Sequence, residues 1–167
     1  MPLSFLPRVM TQKLTDLTPD YLRQNGIRLL MLDFDNTMLP YTAKEPTQEL
    51  LMWIDRMKRG DITLFVVSNS RKTKALDFCR AHNIGCVNRS KKPFQRGIRQ
   101  CLARCGAKAE QAALVGDQIF TDVLGANCAG ATSILVKPIH LSNIWLKLRH
   151  VAEQPFIFFA RKRRLQL

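Results

Sequence analysis

Long apolar runs are missing from this 167-residue sequence: no stretch approaches the ~20 residues that a membrane-spanning helix requires. Cysteine is scarce and odd in number. The five Cys contain no Cys-x-x-Cys pair, which argues against a disulfide scaffold and a structural zinc site and points to a reducing compartment. Residues 1–10 hold Pro2 and Pro7 but no basic run, so they do not read as a secretory signal. Internal repeats and low-complexity segments are also absent. Acidic residues are few, with 13 Asp+Glu against 26 Lys+Arg and a net charge of +13. What is present is a 46% hydrophobic composition, ordinary for a folded chain and inconsistent with wholesale disorder. The length suits one domain with a sizeable core.

The positive charge is concentrated. Residues 56–104 carry thirteen basic and two acidic side chains, a net of +11, and residues 141–167 carry six and one, a net of +5. Such a distribution predicts an anionic partner: nucleic acid, an anionic bilayer or a phosphorylated substrate. The plainer alternative is a solvated basic face.

Strand-like and helix-like segments alternate. Short apolar runs from Arg28 to Asp33, Ile62 to Val67, Ile84 to Val87, Ala112 to Gly116 and Ser133 to Val136 predict five strands, several of them buried on both faces. Between them lie helical patterns. Pro46 opens one in which Leu50, Leu51, Ile54 and Met57 recur before Gly60; others surround Ala75–Ala81, Pro93–Cys105 and Asp122–Cys128. Short connections between alternating elements predict an α/β fold, a mainly parallel five-stranded sheet with helices on both faces.

Ligands of open parallel sheets bind at the carboxyl ends of the strands. The first strand is followed by Asp33-Phe-Asp-Asn-Thr37, the second by Ser68-Asn-Ser70, the third by Lys91-Lys-Pro93 and the fourth by Asp117-Gln-Ile-Phe-Thr-Asp122. One edge would then collect several carboxylates, a hydroxyl and an ammonium. Asp33, Asp35 and Asp117 repel one another unless a cation lies between them, and hard oxygen ligands select Mg²⁺. Ser68 and Lys92 suit phosphate oxygens, and a carboxylate can act as a nucleophile toward phosphorus. The crevice reads as a phosphoryl-transfer site. Each residue alone has a simpler explanation: an Asp after a strand can cap a helix, Ser68 and Asn69 are common in turns, and Lys92 could be a surface lysine. Asp122 in particular sits where a helix cap is expected. His82, His140 and His150 have no ligand spacing, and Cys101 and Cys105 share one helical face as core residues would.

Asp33-Phe-Asp-Asn-Thr37, Ser68, Lys92-Pro93 and Gly116-Asp117…Asp122, taken together and in order, resemble the four motifs of haloacid dehalogenase (HAD) superfamily phosphatases. More narrowly, Pro19…Leu22…Gly26-Ile27 before the first motif, and Val115-Gly-Asp-Gln-Ile-Phe-Thr-Asp122, resemble the YqeG-type subgroup and the mitochondrial phosphatidylglycerophosphate phosphatases. The likeness implies a Rossmannoid three-layer sandwich. By matching position it implies Asp33 as nucleophile, and Asp35 as general acid and then base. Mg²⁺ would be held by the Asp33 and Asp117 carboxylates and the Asp35 backbone carbonyl. Ser68 and Asn69 would lie at the phosphate, and Lys92 would balance the charge of Asp33 and the phosphate. Asp122 would support the metal or orient Lys92, and Thr37 would secure the turn through its hydroxyl and backbone. Lys91 stays open as the site lysine, although Lys92 is the one preceding proline.

Thirty-four residues separate Asp33 from Ser68 and twenty-three separate Ser68 from Lys92, too few for a cap domain in either gap. The site should be open and suited to a phosphate on a large body. Residues 1–140 are expected to form the phosphatase domain and residues 141–167 an amphipathic, basic tail. In that tail Leu141, Ile144, Trp145, Leu148 and Val151 form an apolar stripe, Pro155 is expected to end the helix, and Arg161–Arg164 follow Phe156–Ala160. The tail suits either an anionic membrane surface or packing on the sheet. The leading expectation is a Mg²⁺-dependent phosphatase acting on the phospholipid phosphatidylglycerophosphate, at the inner face of a membrane in the cytoplasm. Alternatives are another phosphorylated substrate (nucleotide, sugar or protein) and a nucleic-acid- or ribosome-associated binding protein on the same scaffold.

Overall fold

Four consecutive apolar residues, Leu29–Leu32, with no polar side chain among them, can be stable as a strand only when both faces are covered, and this segment becomes the centre of the sheet. The computed structural model describes residues 4–43, 45–140 and 144–162. In chain order its strands are β1 (Val9–Thr11), β2 (Leu29–Leu32), β3 (Thr63–Val67), β4 (Gly85–Val87), β5 (Ala112–Gly116) and β6 (Thr132–Val136). All pair in parallel, in the order β1-β6-β5-β2-β3-β4. The sheet thus has six strands rather than the five expected. The additional one, β1, is three residues long and lies at the edge against β6.

Helices cover both faces. They are α1 (Pro19–Gln24), α2 (Gln48–Arg59), α3 (Lys74–Ala81), α4 (Arg96–Cys105), α5 (Leu124–Ala129) and α6 (Ile144–Lys162). Local chemistry sets their ends. Thr18 and Thr47 accept backbone N–H bonds from Tyr21 and Leu50, each at 3.2 Å, which caps α1 and α2. Gly106, at φ 59°, closes α4 in the left-handed region. Strand alternation then divides the core. Leu30 and Leu32 pack with Leu22, Trp53, Ile54, Met57 and Phe78 on one face. Leu29 and Met31 pack with Ile98, Cys101 and Ala126 on the other. Among the described residues between the first two motifs the regular elements are α2 and β3 alone, and no cap domain is inserted.

The last helix departs from expectation. It continues through Pro155, which donates no hydrogen bond to the preceding turn. Among the helix's described side chains the buried stripe is Glu153, Ile157 and Ala160, at helical spacing, and Ile157 joins Ile119, Val123 and Leu135 in a small separate core; the side chains of Ile144, Trp145 and Leu148 lie outside the description. Val151, expected on the apolar stripe, is 66% exposed. Leu141, Arg163 and Arg164 lie outside the described residues, and no helix among the described residues is long and apolar enough to cross a membrane.

Trp53 joins α2 to the N-terminal segment: its ring is buried and its indole N–H donates to the Leu17 carbonyl at 2.8 Å. Trp53→Phe keeps most of the apolar volume but leaves that buried acceptor unpaired. The expected loss is about 1–3 kcal/mol of stability, read from urea unfolding followed by circular dichroism. An unchanged midpoint would show that the bond is dispensable.

Candidate active site

Register brings the functional segments to one level. Leu32 of β2 pairs with Val66 of β3 and with Val115 of β5, so Asp33 emerges beside Val67 and Gly116, with Ser68 and Asp117 one residue further on. The Asp33 amide donates to the Val115 carbonyl at 2.9 Å, and the Ser68 amide to the Val87 carbonyl at 3.0 Å. Strand connections run in opposite directions on either side of the β2/β5 boundary, which opens a crevice there.

Lys92 crosses this crevice. Its Nζ lies 2.7 Å from Asp33 Oδ1 and 2.8 Å from Asp122 Oδ1, and all three side chains are buried. Burial alone would push the Lys92 ammonium down, but Asp122 and Asp33 more than reverse this, and its pKa lies above the ordinary lysine range. Burial pushes the Asp122 carboxyl up; Lys92 opposes the shift, and Asp33 and Asp117 add to it. Lys91 is exposed and points elsewhere, so Lys92 is the lysine of the crevice. Asp122 does not take the helix-cap position expected of it: it lies inside the turn Ile119–Val123, and its Oδ2 accepts from the amide of Gln118, the residue before that turn, at 3.2 Å.

Asp35 is half-buried. Burial raises its carboxyl above the usual range, Asp33 raises it further, and Lys74, Ser70 and Lys72 work against the shift. Ser68 is buried, and its hydroxyl oxygen accepts from the Ser70 amide at 3.0 Å. Asn69 is engaged with the loop that follows β4. Its Oδ1 accepts from the Lys92 amide at 2.7 Å and the Ser90 hydroxyl at 2.8 Å, and its Nδ2 donates to the Lys92 carbonyl at 2.9 Å. It clasps the loop that carries the lysine. The Thr37 hydroxyl is buried without a hydrogen-bond partner.

The turn is held by Asn36, which sequence reasoning missed. Asn36 is fully buried at φ 65°, a conformation that Asn tolerates better than most residues. Its amide donates to the Leu39 carbonyl at 2.7 Å, its Oδ1 accepts from the His140 amide at 2.9 Å, and its Nδ2 donates to Asp117 Oδ2 at 3.3 Å. The available signal was the Asn itself, directly after Asp-x-Asp in a turn. Glu153 of α6 was also missed; it accepts from the Ile119 amide at 2.9 Å, within the π-helical turn Ile119–Val123 that carries Asp122.

The buried carboxylates of Asp33, Asp117 and Asp122 each bring an oxygen within 4.8 Å of the others. Lys92 supplies one positive charge to this group, and Asp33 Oδ2 is buried without a hydrogen-bond partner. Excess negative charge and an unengaged oxygen fit a hard, oxygen-seeking divalent cation. Asp122 stands in this geometric group and the Asp35 side chain does not, although Asp122 is already committed to Lys92.

Comparison with known proteins agrees with this chemistry. The fold is shared with the cobalt-bound form of deoxy-D-mannose-octulosonate 8-phosphate phosphatase from Haemophilus influenzae, with a TM-score of 0.55, 20% identity, and 75% of each chain covered. It is shared also with 3-deoxy-D-manno-octulosonate 8-phosphate phosphatase from Yersinia pestis, with a TM-score of 0.51, 17% identity, and 86% and 87% of the two chains covered. A curated relative, Probable phosphatase YqeG of Bacillus subtilis, is 29% identical over 139 residues, which covers 83% of this chain and 81% of that protein. With motifs, sheet and relatives in accord, the enzyme is a phosphatase of the HAD type. Within that class the chain belongs to the mitochondrial PGP phosphatase family, whose pattern residues 1–139 match.

Gly116 tests the packing around Lys92. A Cβ there would lie 2.2 Å from Asp122 Cγ and Oδ2, and both belong to a buried side chain with no room to yield. Gly116→Ala is expected to cost about 1–3 kcal/mol of stability by overpacking, and to lower phosphatase activity more than about tenfold by displacing Asp122 from Lys92. Full activity at unchanged stability would show that Asp122 has freedom the packing does not suggest.

Proposed function

We propose that this chain is a Mg²⁺-dependent phosphomonoesterase that removes the terminal phosphate of phosphatidylglycerophosphate, leaving phosphatidylglycerol, at the inner, cytoplasmic face of a membrane. The observation that carries the chemistry is Asp33, buried at the carboxyl end of the central strand, with one oxygen held by Lys92 and the other unengaged. Support for the lipid comes from the family, from the absence of a cap domain, and from exposed Phe158 and Phe159 on α6.

In this reading an Asp33 oxygen attacks phosphorus, and the bond from phosphorus to the leaving alcohol breaks. Asp35, whose surroundings favour its protonated form, gives its proton to the leaving oxygen. A water molecule then attacks the aspartyl-phosphate, Asp35 takes a proton from it, and inorganic phosphate leaves with Asp33 restored. The Ser68 hydroxyl donates to a phosphate oxygen, and Lys92 offsets the charge of Asp33 and the phosphoryl group. Bound to the Asp33 and Asp117 carboxylates and the Asp35 carbonyl, Mg²⁺ would supply neutralisation of phosphoryl charge. Asn69 and Asp122 serve by fixing Lys92.

The test is phosphate release from phosphatidylglycerophosphate in mixed micelles, with Mg²⁺ and with EDTA, beside a soluble aryl phosphate and an Asp33→Asn control. Mg²⁺-dependent release from the lipid, lost in the variant, is the expected result. Release from the aryl phosphate alone would keep the chemistry and remove the lipid. Release from neither, with salt-sensitive RNA binding that Asp33→Asn leaves intact, would favour a binding role.

The pH dependence has a definite sign. Lys74 holds the Asp35 carboxyl down against burial and Asp33, so Lys74→Gln removes charge that favours the carboxylate. The limb of the kcat/KM profile governed by Asp35 is expected to move to higher pH. A shift to lower pH, or none, would detach that limb from Asp35.

A further inference from the structure

Beside the crevice is a cavity of about 340 Å³ lined by Asn69, Arg71, Arg89 and Lys91. Three of its four walls are cations, and among the described residues none of the three has a carboxylate within ion-pair distance. The fourth wall, Asn69, is the residue that clasps Lys92. The cavity therefore begins one residue away from the ammonium at Asp33.

Its walls are braced from both sides. The Arg89 amide donates to the Ser70 carbonyl at 3.3 Å, and the Ser90 amide to the Ser68 carbonyl at 2.9 Å. Asn88 Nδ2 donates to the Lys72 carbonyl at 3.0 Å. Arg89 and Lys91 both sit at positive φ, 52° and 58°, a conformation that costs free energy for such side chains and persists only where the surroundings enforce it. Each turns its side chain out of the strand-end loop toward the cavity. A basic face kept for solubility has no need of two strained residues bracing a concave site.

We infer that this cavity is a subsite for a second phosphate carried by the same substrate molecule, on the alcohol side of the monoester that is cleaved. The inference rests on Asp33 as the reacting centre. Guanidinium groups suit a phosphodiester, which presents two unesterified oxygens to paired N–H donors. Substrates carrying one phosphate would occupy only the crevice; those carrying a neighbouring phosphodiester would engage both. The subsite selects substrates by binding and does not touch the reacting atoms.

The test separates the substrate's own second phosphate from an anionic surface. Three substrates are compared: glycerol 3-phosphate, which has the monoester alone; deacylated phosphatidylglycerophosphate, which has monoester and phosphodiester but no acyl chains; and the intact lipid in micelles. In the wild-type protein the deacylated compound is expected to show a higher kcat/KM than glycerol 3-phosphate. In the Arg71→Gln/Arg89→Gln/Lys91→Gln variant that ratio is expected to fall at least about tenfold, mainly through KM. Arg99→Gln, an exposed cation on α4 outside the cavity, serves as the control and is expected to leave the ratio unchanged. A loss confined to the micellar lipid would assign the three cations to surface attraction and overturn the subsite, as would a ratio unaffected by the triple variant.

Calorimetric binding of the deacylated compound to Asp33→Asn protein, with and without the three substitutions, reads the subsite without turnover. At least about tenfold weaker binding supports it and equal binding overturns it. Binding that depends on the three cations, in a wild-type protein that does not release phosphate from the lipid, would keep the subsite and reject phosphatidylglycerophosphate as the substrate.

Discussion

One ammonium group makes the rest of the site possible. Asp33, Asp117 and Asp122 crowd their oxygens within 4.8 Å, and all three side chains are buried. Two like charges at ~4 Å repel by about 4 kcal/mol at the effective dielectric of a protein surface, and by more where water is excluded. Lys92 lies between two of them, and removing one partner from a buried ion pair typically costs about 3–5 kcal/mol. Much of the surrounding structure serves to fix that lysine. Asn69 holds its backbone from both sides. Gly97 lets α4 approach so closely that a Cβ would lie 2.4 Å from Ser90 Cβ. Gly116 leaves the space that Asp122 fills.

The sheet supplies the other half of the arrangement. Its register places Asp33, Ser68 and Asp117 at one level, although 34 and 48 residues separate the successive members of this trio along the chain. The reversal of strand order beside β2 leaves a crevice, spanned by Lys92 between Asp33 and Asp122 and by Asn36 reaching Asp117. The buried Asp33 carboxylate and its counter-charge thus come from distant segments, Asp33 at the end of a buried strand and Lys92 on a loop that Asn69 clasps. That anchoring limits how far the charges can relax from one another, and it is why the pKa values in the crevice depart from their ordinary ranges.

The parts legible in the sequence were those with a strong local signal. The central strand was readable because Leu29–Leu32 admits no other burial, and α2 because its apolar positions recur at helical spacing between Thr47 and Gly60. Asp33, Ser68, Lys92, Asp117 and Asp122 were readable because each follows a strand. The edge strand Val9–Thr11 was not, since three residues carry no periodicity and its stability comes from pairing with Thr132–Val136. Pro155 was misread because a lone proline normally ends a helix, whereas here tertiary contacts at Glu153, Ile157 and Ala160 hold the segment in line. Asn36 and Asn69 were undervalued for one shared reason: their work is done through long-range hydrogen bonds, and composition says nothing about where an amide will reach.

The bond from Ile119 to Glu153 has a mechanical meaning. The family resemblance ends at residue 139, yet a carboxylate fourteen residues later closes the first turn of the segment bearing Asp122. Ile119 is wholly enclosed, so its amide has no water to turn to if Glu153 withdraws. The helix α6 and the loop bearing Asp122 are consequently linked like two ends of a short rod: whatever pulls on the aromatic surface of Phe158 and Phe159 must either break a buried hydrogen bond or drag the loop along.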